Sequence, residues 1–446
     1  MTHRVVITGM AGVTAFGDNW ADVSHRLQQG QNAVRYMTHW EQYQGLNTHL
    51  GAPVDDFALP VHYTRKRIRS MGRVSLLATR ATELALMQAG LLDDAVLTNG
   101  ATGIAYGSST GSTKPVSEFA TMLTEKHTNN ITGTTYVQMM PHTTAVNAGL
   151  FFGLRGRVIP TSSACTSGSQ AIGYAYESIR HGYQTLMVAG GAEELCPSEA
   201  AVFDTLFATS QQNDTPEFSP RPFDSQRDGL VIGEGAGSLI LESLEHAQAR
   251  GATIYAEIIG FATNCDAAHI TQPQQETMQI CMQQALAASG LSAADIGYIS
   301  AHGTATDRGD IAESQATAAI FGNRTAISSM KSYFGHTLGA CGALEAWLAI
   351  EMMREGRFAP TINLTQPDSA CGDLDYIMGE YRNIDTEFVQ SNNFAFGGIN
   401  TSLILRRWGV TALWPGLLRP LLPVTQKCYA KPDIFCSTTA LSYSSQ

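Results

Sequence analysis

The sequence has little that would mark a secreted, metal-binding or membrane-spanning protein. Only 8 of its 446 residues are cysteine. They are scattered, without a CxxC pair or zinc-finger spacing, so we predict reduced thiols, no disulfide framework and no metal site. Apolar runs such as residues 145–154 are far shorter than the roughly 20 residues of a membrane helix. The strand-like start at residues 5–9 lacks a signal-peptide pattern, and we predict a cytoplasmic protein.

Positive charge is also scarce. Lys and Arg number 28 against 39 Asp and Glu, which gives a formal net charge of −11. This balance disfavours nucleic acid as a partner. The exception is the basic stretch at residues 65–73, RKRIRSMGR, with five positive charges. Taken alone, such a stretch is most often a solvated helix face.

Strand-like and helical segments alternate along the chain, which predicts an α/β fold. Two features recur in the same order in both halves. Helical residues 76–90 and 281–290 each end in a Gly-Leu step before a strand, and small-residue helices follow at 165–182 and 339–356. This order indicates two copies of one βα unit.

We place the division between the two halves near residue 250, which gives segments 1–250 and 251–408. Beyond Trp408 the chain becomes rich in Pro, Leu and Ser and loses clear periodicity. Residues 409–446 are therefore predicted to be an appended, disordered tail outside the core.

The first motif that carries chemistry is TSSACTSGSQ at residues 161–170, in which Cys165 opens a helix of small residues. Backbone N–H groups and the dipole at a helix start stabilise a thiolate, so Cys165 is a candidate nucleophile. The alternative is a packed structural cysteine, which is the more common role of an isolated cysteine.

Two further motifs place histidines at similar positions. His302 lies in AHGTATDRGD, directly after a predicted strand, and Asp310 is predicted to cap the helix that follows. His336 lies in KSYFGHTLGACGALE and precedes a small-residue helix, as Cys165 does in the first half. Lys331 and Glu345 of the same motif are expected to pair beneath the site.

The fourth motif is SNNFAFGGIN at residues 391–400. Two aromatic residues beside Gly-Gly are typical of a loop that moves or presents a backbone N–H to a ligand. The alternative is an ordinary glycine turn between two strands.

Together and in this order, the four motifs resemble those of elongating β-ketoacyl-acyl-carrier-protein synthases of the type II fatty-acid and polyketide kind. The similarity covers about residues 3–408 and includes SPRPFD at 219–224 and RDGLVIGEGAG at 227–237. It implies a thiolase-like α/β fold of duplicated halves in αβαβα layers, and a homodimer or a heterodimer with a related subunit. It also implies decarboxylative Claisen condensation with no bound cofactor. The substrates are carried on the phosphopantetheine of an acyl carrier protein.

The resemblance also assigns a role to each matching residue. The implied catalytic residues are Cys165, His302, His336 and Lys331. Gating or oxyanion contacts are expected from Phe394, Phe396, Asp266 and His269, and substrate contacts from Thr304, Thr306 and Thr110. Structural support is expected from Glu345 and Asp310. Because acyl carrier proteins are acidic, the basic stretch is reinterpreted as their docking site, through Arg65, Lys66 and Arg69.

Some positions depart from the usual pattern of the family. Ala305 and Ala395 replace glycine, and Ile399 replaces threonine, which changes the expected freedom of the gating loop. Thr110 stands at a pocket position that often carries a larger apolar side chain. The motif variants resemble those of ketosynthases from aryl polyene clusters, so we predict an aryl polyene pathway, with primary fatty-acid elongation as the main alternative.

Three other functions remain open from the sequence. A thiolase or priming synthase needs a different residue at the position of His336. A non-catalytic subunit that sets chain length typically lacks the nucleophile, whereas Cys165 is present. A cysteine hydrolase would release the acyl group without forming a carbon–carbon bond.

Overall fold

The structure is a computed structural model that describes residues 2–55 and 57–409. The predicted tail, apart from Gly409, lies outside the described residues. The strands are β1 (Val5–Val13), β2 (Arg35–Tyr36), β3 (Leu50–Ala52), β4 (Thr102–Gly107), β5 (Val158–Thr161), β6 (Leu186–Glu193), β7 (Ile232–Gly233), β8 (Gly235–Ser243), β9 (Ala256–Cys265), β10 (Tyr298–Ser300), β11 (Ala326–Ser328), β12 (Arg357–Phe358), β13 (Asp375–Tyr376), β14 (Arg382–Asn383), β15 (Phe388–Phe394) and β16 (Ile399–Arg407).

The helices are α1 (Trp20–Gln28), α2 (Arg65–Ile68), α3 (Arg73–Gln88), α4 (Lys114–Glu125), α5 (Thr135–Met139), α6 (Thr143–Phe152), α7 (Ser167–Arg180), α8 (Pro197–Asp204), α9 (Leu244–Ala249), α10 (Gln275–Ser289), α11 (Asp307–Phe321), α12 (Lys331–Phe334) and α13 (Cys341–Glu355). No helix among the described residues is both long and apolar enough to cross a bilayer.

The main sheet repeats one arrangement of five strands. Its order is β13-β11-β10-β15-β16-β9-β1-β8-β6-β4-β5, so β9-β16-β15-β10-β11 and β1-β8-β6-β4-β5 run outward from the β1–β9 contact. In each half the first two pairings are antiparallel and the last two are parallel. This is the duplication that the recurring sequence features predicted.

Alternating side chains of the strands pack into different layers, as expected for a sheet that is buried on both faces. In β6, Met187 and Ala189 join the core around α7 and α13, whereas Leu186 and Val188 join the core around α3. In the second half, α10 and α11 cover the outer face. The layers are therefore αβαβα, with α7 and α13 in the middle.

Small residues allow the two central helices to approach closely. A Cβ added to Gly168 of α7 would lie 3.0 Å from the backbone N of Ala343 and 3.0 Å from the carbonyl oxygen of Gly339. Because α13 is almost wholly buried, its start and the start of α7 meet inside the protein. The motifs that contain Cys165 and His336 are thereby brought together.

Candidate active site

Cys165 lies in a tight turn between β5 and α7. The helix was predicted to begin at Cys165, but α7 begins at Ser167, so the cysteine precedes its first turn. Ala164 has a φ of +50°, and its carbonyl oxygen accepts from the N–H of Ser167 at 3.1 Å and from the Ser167 hydroxyl at 2.7 Å. This turn holds the backbone of Cys165 at the helix start.

The two predicted histidines lie against this sulfur. His336 Nε2 is 2.9 Å from Cys165 Sγ, and the ring centroids of His302 and His336 are 5.2 Å apart at 86°. One ligand atom from each of the three side chains lies within 4.8 Å of the others. Residues 137 or more positions from Cys165 in the chain therefore form one buried constellation.

Backbone and side-chain donors fix the tautomers of both rings. The N–H of Leu338 donates to His336 Nδ1 at 3.2 Å, and the Lys331 ammonium donates to His302 Nδ1 at 3.2 Å. Each Nδ1 therefore acts as an acceptor, so a neutral ring carries its proton on Nε2. Burial lowers the pKa of both histidines well below its ordinary value, and the charge of Lys331 lowers it further. Both rings are thus neutral N–H donors near neutral pH.

Lys331 forms a buried ion pair with Glu345, as the third motif predicted. Burial lowers the pKa of Lys331, but the carboxylate of Glu345 outweighs this effect and the pKa is raised. Asn393 Nδ2 donates to the second oxygen of Glu345 at 2.7 Å. The paired carboxylate keeps Lys331 charged, and Lys331 in turn orients His302.

The pKa of Cys165 departs from the sequence-based expectation. Burial raises the pKa of its thiol to about 11, while the charge of Lys331 and the backbone N–H groups of Phe396 and Cys165 lower it. The expectation that the helix start alone would favour a thiolate was therefore wrong, because desolvation of the sulfur is the larger effect. The same two N–H groups reach the sulfur, where an oxyanion hole was predicted.

The gating loop is tied together at its base. Ala395 N–H donates to the carbonyl of Ile399 at 2.8 Å, and Gly398 N–H donates to that of Ala395 at 3.0 Å. Phe396 stacks on Phe203 with centroids 5.0 Å apart, while Phe394 meets the His302 ring edge-on at 6.1 Å.

Asp266 contacts this loop directly, whereas His269 does not. Asp266 N–H donates to the carbonyl of Gly398 at 2.8 Å, and its carboxylate accepts from Asn400 Nδ2 at 2.7 Å. A Cβ on Gly398, where φ is +76°, would lie 2.7 Å from the Asp266 side chain, so glycine is required there. The His269 ring accepts from Thr271 N–H at 3.2 Å within its own loop.

A cavity of about 430 Å³ joins these groups to the surface. Its walls include Cys165, both histidines and both gating phenylalanines, and His269 and Asp266 lie on the same lining. Thr304 and Thr306 also line it, and their hydroxyls are 2.9 Å apart. Thr110, predicted to contact the acyl chain, does not line this cavity.

Asp310 supports the His302 loop but does not cap the helix, so that prediction was wrong. Helix α11 begins three residues earlier, and its N-cap residue is Thr306. The Asp310 carboxylate instead accepts from the N–H groups of Thr304 at 3.0 Å and Ala305 at 3.1 Å. These bonds hold Ala305 at a φ of +66°, where glycine would be unstrained.

Glu313 is a site residue that sequence reasoning missed. Its carboxyl group accepts from the backbone N–H groups of His302 and Gly303, both at 2.7 Å. Burial raises its pKa to about 8. The available signal was its place one turn after Asp310 on the same helix.

Family comparisons agree with this geometry. Residues 2–247 match the family described as Beta-ketoacyl synthase, N-terminal domain, and residues 255–365 match Beta-ketoacyl synthase, C-terminal domain. The chain belongs to the β-ketoacyl synthase family. The family resemblance and thiolase-like fold class expected from the motifs are confirmed.

Known members of this family resemble the chain over nearly its whole described length. The 3-oxoacyl-acyl-carrier-protein synthase 2 of Synechocystis sp. is 36% identical over 411 residues, which cover 91% of this chain and 98% of the relative. The crystal structure of a β-ketoacyl synthase from Burkholderia phymatum STM815 matches with a TM-score of 0.90 and 61% identity, covering 91% of this chain and 99% of that chain.

A third match is a complex. A type II polyketide synthase acyl-carrier protein in complex with its ketosynthase, bound to the hexaketide, has a TM-score of 0.81 and 29% identity. The match covers 91% of this chain and 100% of that chain.

The basic stretch of this β-ketoacyl synthase divides into paired and unpaired charges. Arg73 forms an ion pair with Glu234, and Arg67 lies 3.7 Å from the ring centroid of Phe151. The remaining three side chains are exposed and have no ion pair within the described residues; they are Arg65, Lys66 and Arg69. These three are the ones that sequence reasoning selected.

Proposed function

We propose that this protein is a β-ketoacyl-acyl-carrier-protein synthase that carries the growing acyl chain as a thioester on Cys165. One observation carries the proposal: two neutral imidazoles, each with its proton on Nε2, lie against a buried cysteine in one cavity. A reaction that develops negative charge on a thioester oxygen needs such donors.

The first step transfers the acyl group from the carrier to Cys165. The sulfur attacks the thioester carbonyl, and the N–H groups of Cys165 and Phe396 receive the oxyanion. Because the free thiol has a pKa of about 11, its proton leaves with the attack and ends on the departing pantetheine thiol.

The second step forms the carbon–carbon bond. The Nε2–H groups of His302 and His336 donate to the malonyl thioester oxygen while carbon dioxide leaves, and they stabilise the enolate. The nucleophilic carbon then attacks the acyl thioester, and the Cys165 thiolate is released. Removal of one such donor costs about 3–4 kcal/mol, or roughly 100-fold or more in rate.

Acylation of Cys165 tests this assignment. After incubation with an acyl-loaded carrier and a malonyl-loaded carrier, intact mass should show the acyl adduct, and carbon dioxide should be released. Cys165→Ala should abolish the adduct, whereas Cys281→Ala, which alters a buried cysteine of the α10 core, should leave it unchanged. Neither adduct nor carbon dioxide would favour a non-catalytic chain-length subunit. Net hydrolysis without condensation would favour a cysteine hydrolase.

We infer that the carrier protein docks through Arg65, Lys66 and Arg69 and that its pantetheine arm contacts Thr304 and Thr306. The exposure of the three unpaired cations supports this docking site.

Charge reversal tests the docking site. Changing the three basic residues together to Glu should raise the KM for a carrier-bound acyl substrate about tenfold or more. Turnover of a small acyl thioester without a carrier should stay unchanged. Arg324→Glu, at another exposed arginine, is the matched control. An unchanged KM for the carrier-bound substrate would remove these residues from the docking site.

We further propose a homodimer and an aryl polyene pathway in the cytoplasm. Strand β5 ends the sheet order, and its Val158 is 47% exposed, which supports pairing at this edge with a second copy. A related subunit in place of the second copy is the alternative. Primary fatty-acid elongation is the alternative pathway, and the polar Thr110 at an expected acyl-pocket position favours the polyene substrate.

A further inference from the structure

A second group of functional side chains lies near Cys165 but outside the cavity described above. Strands β4, β5 and β6 are parallel neighbours, so their carboxyl ends share one edge of the sheet, where ligands bind in many α/β proteins. Thr110 follows β4, Cys165 follows β5 and Glu193 ends β6. None of Thr110, Glu193 and Glu199 lines the cavity that reaches the histidines.

Glu193 has a full set of donors. Its carboxylate accepts from the Ser108 hydroxyl at 2.8 Å, the Ser109 N–H at 2.7 Å and the Gly339 N–H at 3.0 Å. Burial raises the pKa of Glu193, but these donors stabilise its charged form. Glu193 also acts electrostatically on Cys165, which places it close to the nucleophile.

Glu199 is in a different state. Its side chain is buried at 4% exposure, Oε1 lies 2.9 Å from the Thr110 hydroxyl, and Oε2 has no hydrogen-bond partner. Burial raises the pKa of Glu199 well above its ordinary value, and the charge of Glu193 raises it further. Its carboxyl group is therefore protonated near neutral pH.

The hydrogen bonds of Thr110 agree with this protonation. Its hydroxyl lies 3.2 Å from Glu193 and 2.9 Å from Glu199, but a hydroxyl has only one proton to give. Thr110 therefore donates to the charged Glu193 and accepts from the protonated Glu199. This arrangement leaves Oε2 of Glu199 as a buried acceptor that no group of the described chain uses.

Such an acceptor is unfavourable unless a ligand satisfies it. Glu199 lies one helical turn before Phe203 on α8, and Phe203 stacks on the gating residue Phe396. We infer that Oε2 of Glu199 accepts a hydrogen bond from a hydroxyl group on the acyl chain carried by Cys165. The substrate class is then an acyl chain with a hydroxyl at its far end, and this inference depends on the proposed function.

The hydroxyl has two chemical sources, an aliphatic alcohol or a phenol, which share the same donor. Carrier-bound acyl chains of matched length separate them when they end in an alkyl group, an alkyl alcohol, a phenyl ring or a 4-hydroxyphenyl ring. Discrimination is the ratio of kcat/KM for each hydroxyl chain to that for its analogue without the hydroxyl.

The wild-type protein should prefer at least one hydroxyl chain. Glu199→Leu should lower its discrimination ratio about 10- to 100-fold, chiefly through loss of kcat/KM on the hydroxyl chain, because the acceptor is gone. Turnover of the chain without the hydroxyl should be kept or improved. Glu199→Gln keeps a carbonyl acceptor and should retain most of the discrimination.

Glu194→Gln is the matched control. Glu194 is a neighbouring buried acid whose Oε1 already accepts from the N–H of Thr113 at 2.7 Å and from its hydroxyl at 2.6 Å. This variant should leave the discrimination ratio unchanged.

Normal condensation with no preference for either hydroxyl chain, or with a preference that Glu199→Leu leaves intact, would overturn this inference alone. Failure of every chain to acylate Cys165 in the wild-type protein would overturn the proposed function itself.

Discussion

Replacing Lys331 with methionine should separate the stability of the site from its chemistry. Lys331 is 2% exposed, and its ammonium group bonds both Glu345 and His302 Nδ1. Loss of this cation leaves the Glu345 carboxyl group with Asn393 as its remaining donor, and breaking a buried pair in this way costs about 3–5 kcal/mol of unfolding free energy. The double variant Lys331→Met/Glu345→Gln removes the unpaired charge and should regain most of that stability.

The chemistry should not recover with the stability. His302 loses the charged donor that holds its proton on Nε2, and a hydrogen bond of this kind contributes about 1.5–3 kcal/mol. Release of carbon dioxide from a malonyl-loaded carrier should therefore fall roughly 10- to 150-fold in both the single and the double variant. Thermal unfolding and carbon dioxide release, measured on the same samples, give the two quantities. Full decarboxylation in the double variant would refute the role given to Lys331.

Two further predictions follow from the pKa shifts. Burial lowers the pKa of His302 and His336, so neither ring gains a proton as pH falls from about 7.5 to about 6, and decarboxylation should stay nearly constant; a loss centred near the pKa of free histidine would contradict this. The unfolded chain does bind those protons, so each ring lowers the unfolding free energy by about 1.4 kcal/mol per pH unit below about 6.5. Because burial raises the thiol pKa of Cys165 to about 11, its alkylation by iodoacetamide, followed by peptide mass, should rise about tenfold per pH unit between about pH 7 and 10. The exposed Cys265 is the internal control, and a plateau for Cys165 below about pH 8.5 would contradict the shift.

Much of the site could be predicted from local sequence because each motif places its reactive residue beside a strand end or a helix start. Cys165, His302 and His336 all lie in such positions, and the duplicated fold brings those positions together. The Lys331–Glu345 pair was also accessible, since both residues belong to one motif.

The remaining features depend on contacts that no local pattern contains. The pKa of Cys165 is set by how completely distant elements bury the sulfur, so the favourable helix start gave the wrong sign. Asp310 and Glu313 bond backbone N–H groups of the preceding loop, which helix-cap rules do not anticipate. Glu199 stood out only when its unpartnered oxygen was visible beside Thr110.

The most direct test of the central claim is a single turnover of the acylated protein. Protein that already carries an acyl group on Cys165 is mixed with a malonyl carrier labelled at the carboxyl carbon that leaves, and labelled carbon dioxide and the extended β-ketoacyl carrier are measured together. We predict equal amounts of both, with the acyl group gone from Cys165. Carbon dioxide without the extended chain, or free acid in its place, would contradict condensation at this site.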